Sequence, residues 1–394
     1  MSTLTITLVN NTTSSNVYAH ITGIPLDGNN GPVCFIRADG TPFYPTNPPS
    51  DHTPVTENIA IPLAAPGSSS PKQVTIPRLG SGRISFSINT PLKFFLNPGP
   101  AIVQQSVTDQ ADENINTQWD FCEFTFDGGL FSNITYVDFV SLPIALSLTN
   151  TSGAKKEVLG LPRDGLIGVY SRLQLQTQLD KAPWNELAYF AANNGPFLRV
   201  LSPSNSIAID GQKFAGYYEE YIGQCWDNYK SNILLVDTQS AAGVLNGIGD
   251  GDKITFSGGG GSFSKPSTAD VFSCNTGPFG GLGNTTAGNV AARLCASLNR
   301  STLLTNSQQP DLEDVATYYP TTAGAGGSIV PTNHYSRIVH DVNIDHRGYA
   351  FPFDDVVPNA GADQAGVVFD SRPLDFVVTV GGPSAGATNV MAKL

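Results

Sequence analysis

The stretch Trp119–Leu148, WDFCEFTFDGGLFSNITYVDFVSLPIALSL, holds the residues best suited to chemistry in this chain. It reads as two strands around the turn Asp127-Gly128-Gly129, because aromatic and β-branched residues flank a turn signal. On the first strand Phe121, Glu123 and Thr125 share a face opposite Cys122, Phe124 and Phe126. On the second, Tyr136, Asp138 and Val140 share a face opposite Val137 and Phe139. Glu123 and Asp138 thus each project a carboxylate from among apolar neighbours. Two carboxylates across a groove are what hydrolysis of a glycosidic bond requires. One must be held protonated by apolar surroundings or a like charge, while the other stays ionised to activate water. The pattern alone is weak. With 33 acidic residues in the chain, a Glu and an Asp this close are commonplace, and exposed strand acids are the plainer account.

Other chemistries lack their residues. Gly258–Gly261 and Gly280–Gly283 lack the following Lys-Ser/Thr of a phosphate loop and read as turns. His334, His340 and His346 recur every six residues, a spacing that fits no metal template. Asp250-Gly-Asp252 lacks the further ligands of a calcium loop. No GxSxG nucleophile elbow is present. The five cysteines, Cys34, Cys122, Cys225, Cys274 and Cys295, fit no zinc spacing. Cys274 and Cys295 flank a Gly-rich loop and are the favoured disulfide pair.

The elements that must carry Glu123 and Asp138 are mostly strands. Thr3–Val9 alternates Leu4, Ile6 and Leu8 with threonines, the period of a half-buried strand. Val17–Ile24, Pro32–Ile36, Gln73–Ile76 and Gly82–Ile88 continue in that style, separated by Pro- and Ser-rich turns, which suits a sandwich or barrel. After Leu161 the texture changes. Leu166, Val169, Tyr170 and Leu173 have helical spacing, with Asp164 as N-cap. A second helix is expected after Asp180, with Trp184, Leu187 and Ala188 as its apolar residues. A third is expected from Asp210, carrying Phe214, Tyr217, Tyr218, Tyr221, Ile222 and Cys225, and a fourth over Asn289–Leu298. Short strands, Asn232–Asp237 and Lys253–Phe256, lie between the last two. Alternation returns at Ile338–Ile344 and Asp375–Val380, and the chain ends in a Gly/Ala-rich tail.

Composition narrows the partners. Of 394 residues only 14% are charged, and Lys+Arg 21 against Asp+Glu 33 gives a net charge of −12. Such a chain offers no cationic footprint to nucleic acid or anionic lipid. Its 40 Gly and 28 Pro argue against a coiled coil, and 40% hydrophobic residues argue against disorder. No segment reaches the ~20 apolar residues that span a bilayer. The opening MSTLTITLVNNTT reads as a first strand rather than a signal peptide. Six N-x-S/T sequons, from Asn10, Asn11, Asn133, Asn150, Asn284 and Asn299, weakly favour a secreted protein.

The Trp119–Leu148 stretch resembles the glycoside hydrolase family 64 β-1,3-glucanases and, more distantly, thaumatin-like proteins. The segment 6–13, ITLVNNTT, resembles the thaumatin-like opening strand. CEFTF at 122–126 and ITYVDFVSLPI at 134–144 are similar to a pattern of both groups. PWNEL at 183–187, RVLSP at 199–203, DVFSC at 270–274, LCASLNRSTL at 294–303, YAFPFDDV at 349–356 and DFVVTVGG at 375–382 resemble family 64. The resemblance implies a mainly β fold with an α+β insertion. A thaumatin-like β-sandwich or barrel domain would be built from 1–161 and 333–394, and a mixed α/β domain from 162–332, with a wide groove between them. It implies inverting hydrolysis of β-1,3-glucan, with Glu123 as general acid, Asp138 as general base and no metal or other cofactor. Thr125, Trp119, Tyr136, Asp354 and Asp355 would line the groove. The carboxylates are expected about 6.5–9.5 Å apart, leaving room for a water. The implied protein is a secreted, extracellular monomer whose partner is β-1,3-glucan and neither nucleic acid nor membrane. Pro143 and the few cysteines depart from the plain thaumatin-like pattern. A non-catalytic glucan-binding protein and a neutral-sugar lectin are the competing readings.

Overall fold

The protein is described by a computed structural model at residues 2–28, 31–305, 307–310, 317–320, 330–359, 361 and 363–383. It is mainly β. Leu4, Ile6 and Leu8 do alternate inward, and their strand, Thr3–Asn10, joins a five-stranded sheet. The sheet's order is Lys155–Val158, Ile144–Asn150, Pro373–Val380, Thr3–Asn10, Lys72–Pro77. Thr3–Asn10 and Pro373–Val380, the first and last of the described strands, pair in parallel within it, Ile6 opposite Phe376 and Leu8 opposite Val378.

A larger sheet places Glu123. Its main path runs Val367–Asp370, Gly129–Ile134, Trp119–Asp127, Leu79–Ile88, Val17–Pro25, Cys34–Ile36, Pro42–Phe43. Ile84, Phe86, Cys122, Phe124 and Phe126 of this sheet share one apolar core with Leu4, Ile6 and Leu8 of the other. Among the described residues, one end of the second face is covered by a smaller cluster that includes Phe35, Ile59, Phe94, Leu96, Trp119, Phe121 and Phe139. The main core continues into a third sheet, Ser262–Ser264, Lys253–Phe256, Val244–Gly249, Leu234–Asp237, Gln308–Gln309. The helices Glu219–Asn228, Thr268–Ser273 and Thr286–Arg300 contribute Trp226, Phe272 and Leu294 to the same core.

Several elements differ from their expected form. The helix Gly165–Asp180 follows Asp164, but the Asp164 side chain makes no capping bond. The segment after Asp180 is a single 3-10 turn, Trp184–Leu187, followed by a strand, Ala188–Phe190. Backbone pairing with Phe197–Leu201 there outweighs helical spacing. The aromatic stripe is helical only from Glu219 to Asn228, since Phe214 and Gly216 take positive φ and break the earlier turns. Ile338–Ile344 is not a strand. His334–Val342 is a helix capped by the Asn333 side chain on Ser336 N–H, and it buries Tyr335, Ile338, Val339 and Val342 on one face. Cys274 and Cys295 are neighbours, yet both are free thiols, and the Cys295 sulfur lies 3.8 Å from the Cys274 carbonyl oxygen rather than bonded to its sulfur. The tail from residue 384 lies outside the described residues. Among the described residues no helix is long and apolar enough to cross a membrane.

Candidate active site

The strand Trp119–Asp127 changes character along its length. Trp119 and Phe121 lie under the smaller cluster, while Glu123, Thr125 and Asp127 emerge beyond its edge on the same face. Cys122, Phe124 and Phe126 point the other way into the main core. Register sets the neighbours of Glu123. Arg83 stands opposite it on one side and Asn133 on the other, with Thr22 beyond Arg83 and Val367 beyond Asn133. Arg83 Nη2 lies 3.3 Å from Glu123 Oε1, and its Nη1 donates to Gln104 Oε1 at 3.0 Å. The guanidinium carbon also sits 4.5 Å from the centre of the Phe121 ring. This ion pair is about one-third exposed on each partner, where such pairs contribute ~0–1 kcal/mol. Its effect is to orient the carboxylate. A cavity of about 360 Å³ opens above it, lined by Arg83, Gln104, Glu123, Thr125, Phe131 and Asn133 among others.

Asp138 is placed differently from the sequence expectation. The second strand ends at Ile134, and Asp138 is exposed in a bend before the two-residue strand Phe139–Val140. Phe139 ties that bend to the Glu123 face: its ring centre is 4.9 Å from that of Trp119 and 6.2 Å from that of Phe121. Phe139 and Val140 pair with Leu201 and Val200. Past that strand, Ser202 N–H donates to the Asp138 carbonyl oxygen at 2.9 Å.

A sheet face with a carboxylate held by an arginine, a second acid on a pinned bend, and amides and hydroxyls around an open cavity has the parts of a sugar-cleaving site. The family model for β-1,3-glucanase, glycoside hydrolase family 64, matches residues 2–380. This chain belongs to that family. It is 29% identical over 307 residues to a glucan endo-1,3-beta-glucosidase of Cellulosimicrobium cellulans and equally to one of Arthrobacter sp. (strain YCWD3). The match takes in 76% of this chain and 52% of each relative, so the chain spans about half the length of the curated relatives it matches. Among solved structures it is similar to a laminaripentaose-producing β-1,3-glucanase in complex with laminaritetraose. That likeness has a TM-score of 0.81 at 28% identity, over 96% of this chain and 98% of the other. It also shares its fold with a family 64 domain from Clostridium beijerinckii, with a TM-score of 0.71 at 20% identity over the same shares.

Within this family 64 chain the remaining candidates separate. Thr125 is exposed and lines the Glu123 cavity. Trp119, expected as a ring for a sugar, is only 3% exposed and packed among Phe121 and Phe139. Tyr136 is 1% exposed, its hydroxyl donating to Asn343 Oδ1 at 3.0 Å, so it faces the core rather than the groove. Asp354 is fully buried, 3.0 Å from both Arg300 Nη2 and His340 Nε2, and it also accepts from Ala350 N–H. It fixes the segment that follows Tyr349, whose own carbonyl accepts from Tyr136 N–H at 2.7 Å. Asp355 is exposed, although its carboxyl is raised by the protein packed around it. Glu123 and Asp355 both lie within electrostatic reach of the half-buried Tyr349.

Sequence reasoning missed Arg83, Gln104, Phe131 and Asn133. Three of these four are strand residues, and register would have found them. Phe131 is 43% exposed and lies opposite Thr125, and across from it Phe369 is 53% exposed. The three histidines have structural partners. His340 pairs with Asp354, His334 Nδ1 accepts from Arg337 Nε, and His346 Nδ1 lies 3.3 Å from the His340 carbonyl oxygen. Among the described residues no group of three or more His, Cys, Asp or Glu side chains is placed to hold a metal ion.

Proposed function

We propose that this chain hydrolyses β-1,3-glucan with inversion at the anomeric carbon. Glu123 protonates the leaving glycosidic oxygen, and Asp138 takes a proton from the water attacking the opposite face of the sugar. The observation that carries this reading is the setting of Glu123. It is the one carboxylate among lining residues that otherwise include a guanidinium, amides, hydroxyls and aromatic rings. That lining suits an uncharged polyol, since each sugar hydroxyl needs a hydrogen-bond partner and each ring face an apolar one. Thr125 and Asn133 supply such partners beside Glu123. Asp355 is the further groove residue, approached from the Tyr349 side. The low charge of the chain agrees with a neutral polymer, and a polymer this large is met outside the cell.

Family membership and the likeness to a glucanase holding laminaritetraose support the substrate class. The test is release of reducing ends from laminarin. Glu123→Gln and Asp138→Asn are each expected to lower turnover by about 10²–10⁴-fold, the range of general acid–base catalysis, while glucan binding persists. Full activity in either variant refutes the assignment. No reducing ends from the wild type leaves a glucan-binding protein instead. NMR of the first product must show the α anomer, because a β anomer excludes inversion.

A further inference from the structure

A base that activates water must hold its carboxylate at a fixed angle and distance, and a misplacement of about 1 Å can cost ~10²-fold. Asp138 lies outside any strand ladder, so its position must be fixed from elsewhere. Two side chains do this, Asn205 by direct contact and Asp120 through the backbone that follows Asp138. Asn205, in the first turn of the helix Pro203–Ile209, donates Nδ2 to Asp138 Oδ1 at 3.3 Å and to the Asp138 carbonyl oxygen at 3.0 Å. Asn205 is itself fixed, because its backbone N–H is capped by Ser202 Oγ at 3.3 Å. The Ser202 N–H donates to the same Asp138 carbonyl. Side chain and backbone of the acid are therefore both held from the start of one helix.

Asp120 works from the opposite direction. It lies three residues before Glu123 on the same strand, faces the other side of the sheet and is 2% exposed. Its Oδ2 accepts from Ser141 N–H at 2.9 Å and Leu142 N–H at 3.0 Å, and its Oδ1 from Phe121 N–H at 2.8 Å. Ser141 and Leu142 follow closely after Asp138. A single side chain thereby joins the strand of one acid to the segment of the other. Burial raises the Asp120 carboxyl to about 7, against the opposing pull of these three amides and of Arg199. A buried acid that keeps three backbone donors at such a cost is one whose geometry matters.

We propose that Asn205 and Asp120 are positioning residues for the hydrolysis, Asn205 aiming the Asp138 carboxylate and Asp120 setting the Asp138 bend against the Glu123 strand. This rests on Glu123 and Asp138 being the acid and base. Asn205→Asp separates aiming from packing. The new side chain has the same size and suits the first turn of a helix, yet it presents a carboxylate to Asp138 in place of a donor. With laminarin as substrate, Asn205→Asp is expected to keep the wild-type melting temperature within a few degrees and lose about 100-fold in kcat. Asn205→Ala should lose about 10-fold, with KM within about twofold for both variants. Asp120→Asn, measured per folded molecule by circular dichroism, should lose at least about 10-fold in kcat at unchanged KM. Wild-type kcat in Asn205→Asp overturns the aiming role, and wild-type kcat per folded molecule in Asp120→Asn overturns the spacing role. Glu123→Gln and Asp138→Asn run alongside. If they stay active, the acid–base assignment itself fails. If they are dead while Asn205→Asp and Asp120→Asn turn over normally, only the positioning inference fails.

Discussion

Asp354 and His340 illustrate how one residue's surroundings decide its role. Burial alone would neutralise both. The fields and hydrogen bonds of His340 and Arg300 overcome that for Asp354 and hold its carboxyl below the usual range. For His340, burial lowers the imidazole, but Asp354 and the His346 carbonyl outweigh it and raise the imidazole above its ordinary value. The signs set a pH window. Asp354 contributes stability above its unfolded pKa near 3.8, lost as pH falls through its lowered native value. His340 contributes below its unfolded pKa near 6.5, lost as pH rises through its raised native value. The pair therefore gives most between about pH 4 and 6.5. Replacing His340 by Gln should cost about 1–3 kcal/mol in that window and less above it. Melting temperatures of the two proteins across pH 4–9 check this, and a gap independent of pH contradicts it. Glu123 and Asp138 stand out in the sequence by their segment context, and they remain the proposed acid and base. Trp119, Tyr136 and Asp354, expected at the groove, are buried, because residue type does not reveal which side of a sheet is covered. Arg83 and Asn133 became visible only through strand register, which a single sequence leaves open.

The Glu123 strand depends on a partner with no side chain. Gly82 stands opposite Phe124, and a Cβ at that position would meet the ring at 2.5 Å. Phe124 lies between Glu123 and Thr125 in sequence and anchors their strand in the core. Gly82→Ala is therefore expected to cost about 1–3 kcal/mol by overpacking and to lower kcat by shifting Glu123. Chemical denaturation and laminarin turnover measure both, and wild-type values for both would mean that the ring can move aside freely. Other elements show why periodicity succeeded or failed. Thr3–Asn10 and Pro373–Val380 were readable because one face of each is buried and the period of two survives. His334–Val342 was misread because its buried residues, Ile338 and Val342 among them, fit both an alternating and a helical spacing over so short a run. Trp184–Leu187 is not a longer helix for another reason: the residues that follow it pair as a hairpin with Phe197–Leu201, a choice that helical spacing does not encode.

The molecule as a whole hides its thiols. All five cysteines are buried, and burial pushes Cys34 and Cys225 up to about 12 and Cys295 well above its ordinary value. The native protein should therefore react negligibly with Ellman's reagent, and the denatured protein should titrate five thiols. A count of three after denaturation would mean that Cys274 and Cys295 are bonded after all.

The parallel pairing of Thr3–Asn10 with Pro373–Val380 bears on how the protein is made. Among the described strands, Pro373–Val380 comes after the others in sequence yet occupies the middle of its sheet, between Thr3–Asn10 and Ile144–Asn150. On the ribosome, both neighbours emerge and wait with open edges until Pro373–Val380 arrives. Completion of that sheet is thus deferred until Pro373–Val380 has been synthesised. A message truncated ahead of Pro373 would yield a chain with two bare, apolar strand edges, a substrate for chaperones and proteases rather than a partly working product.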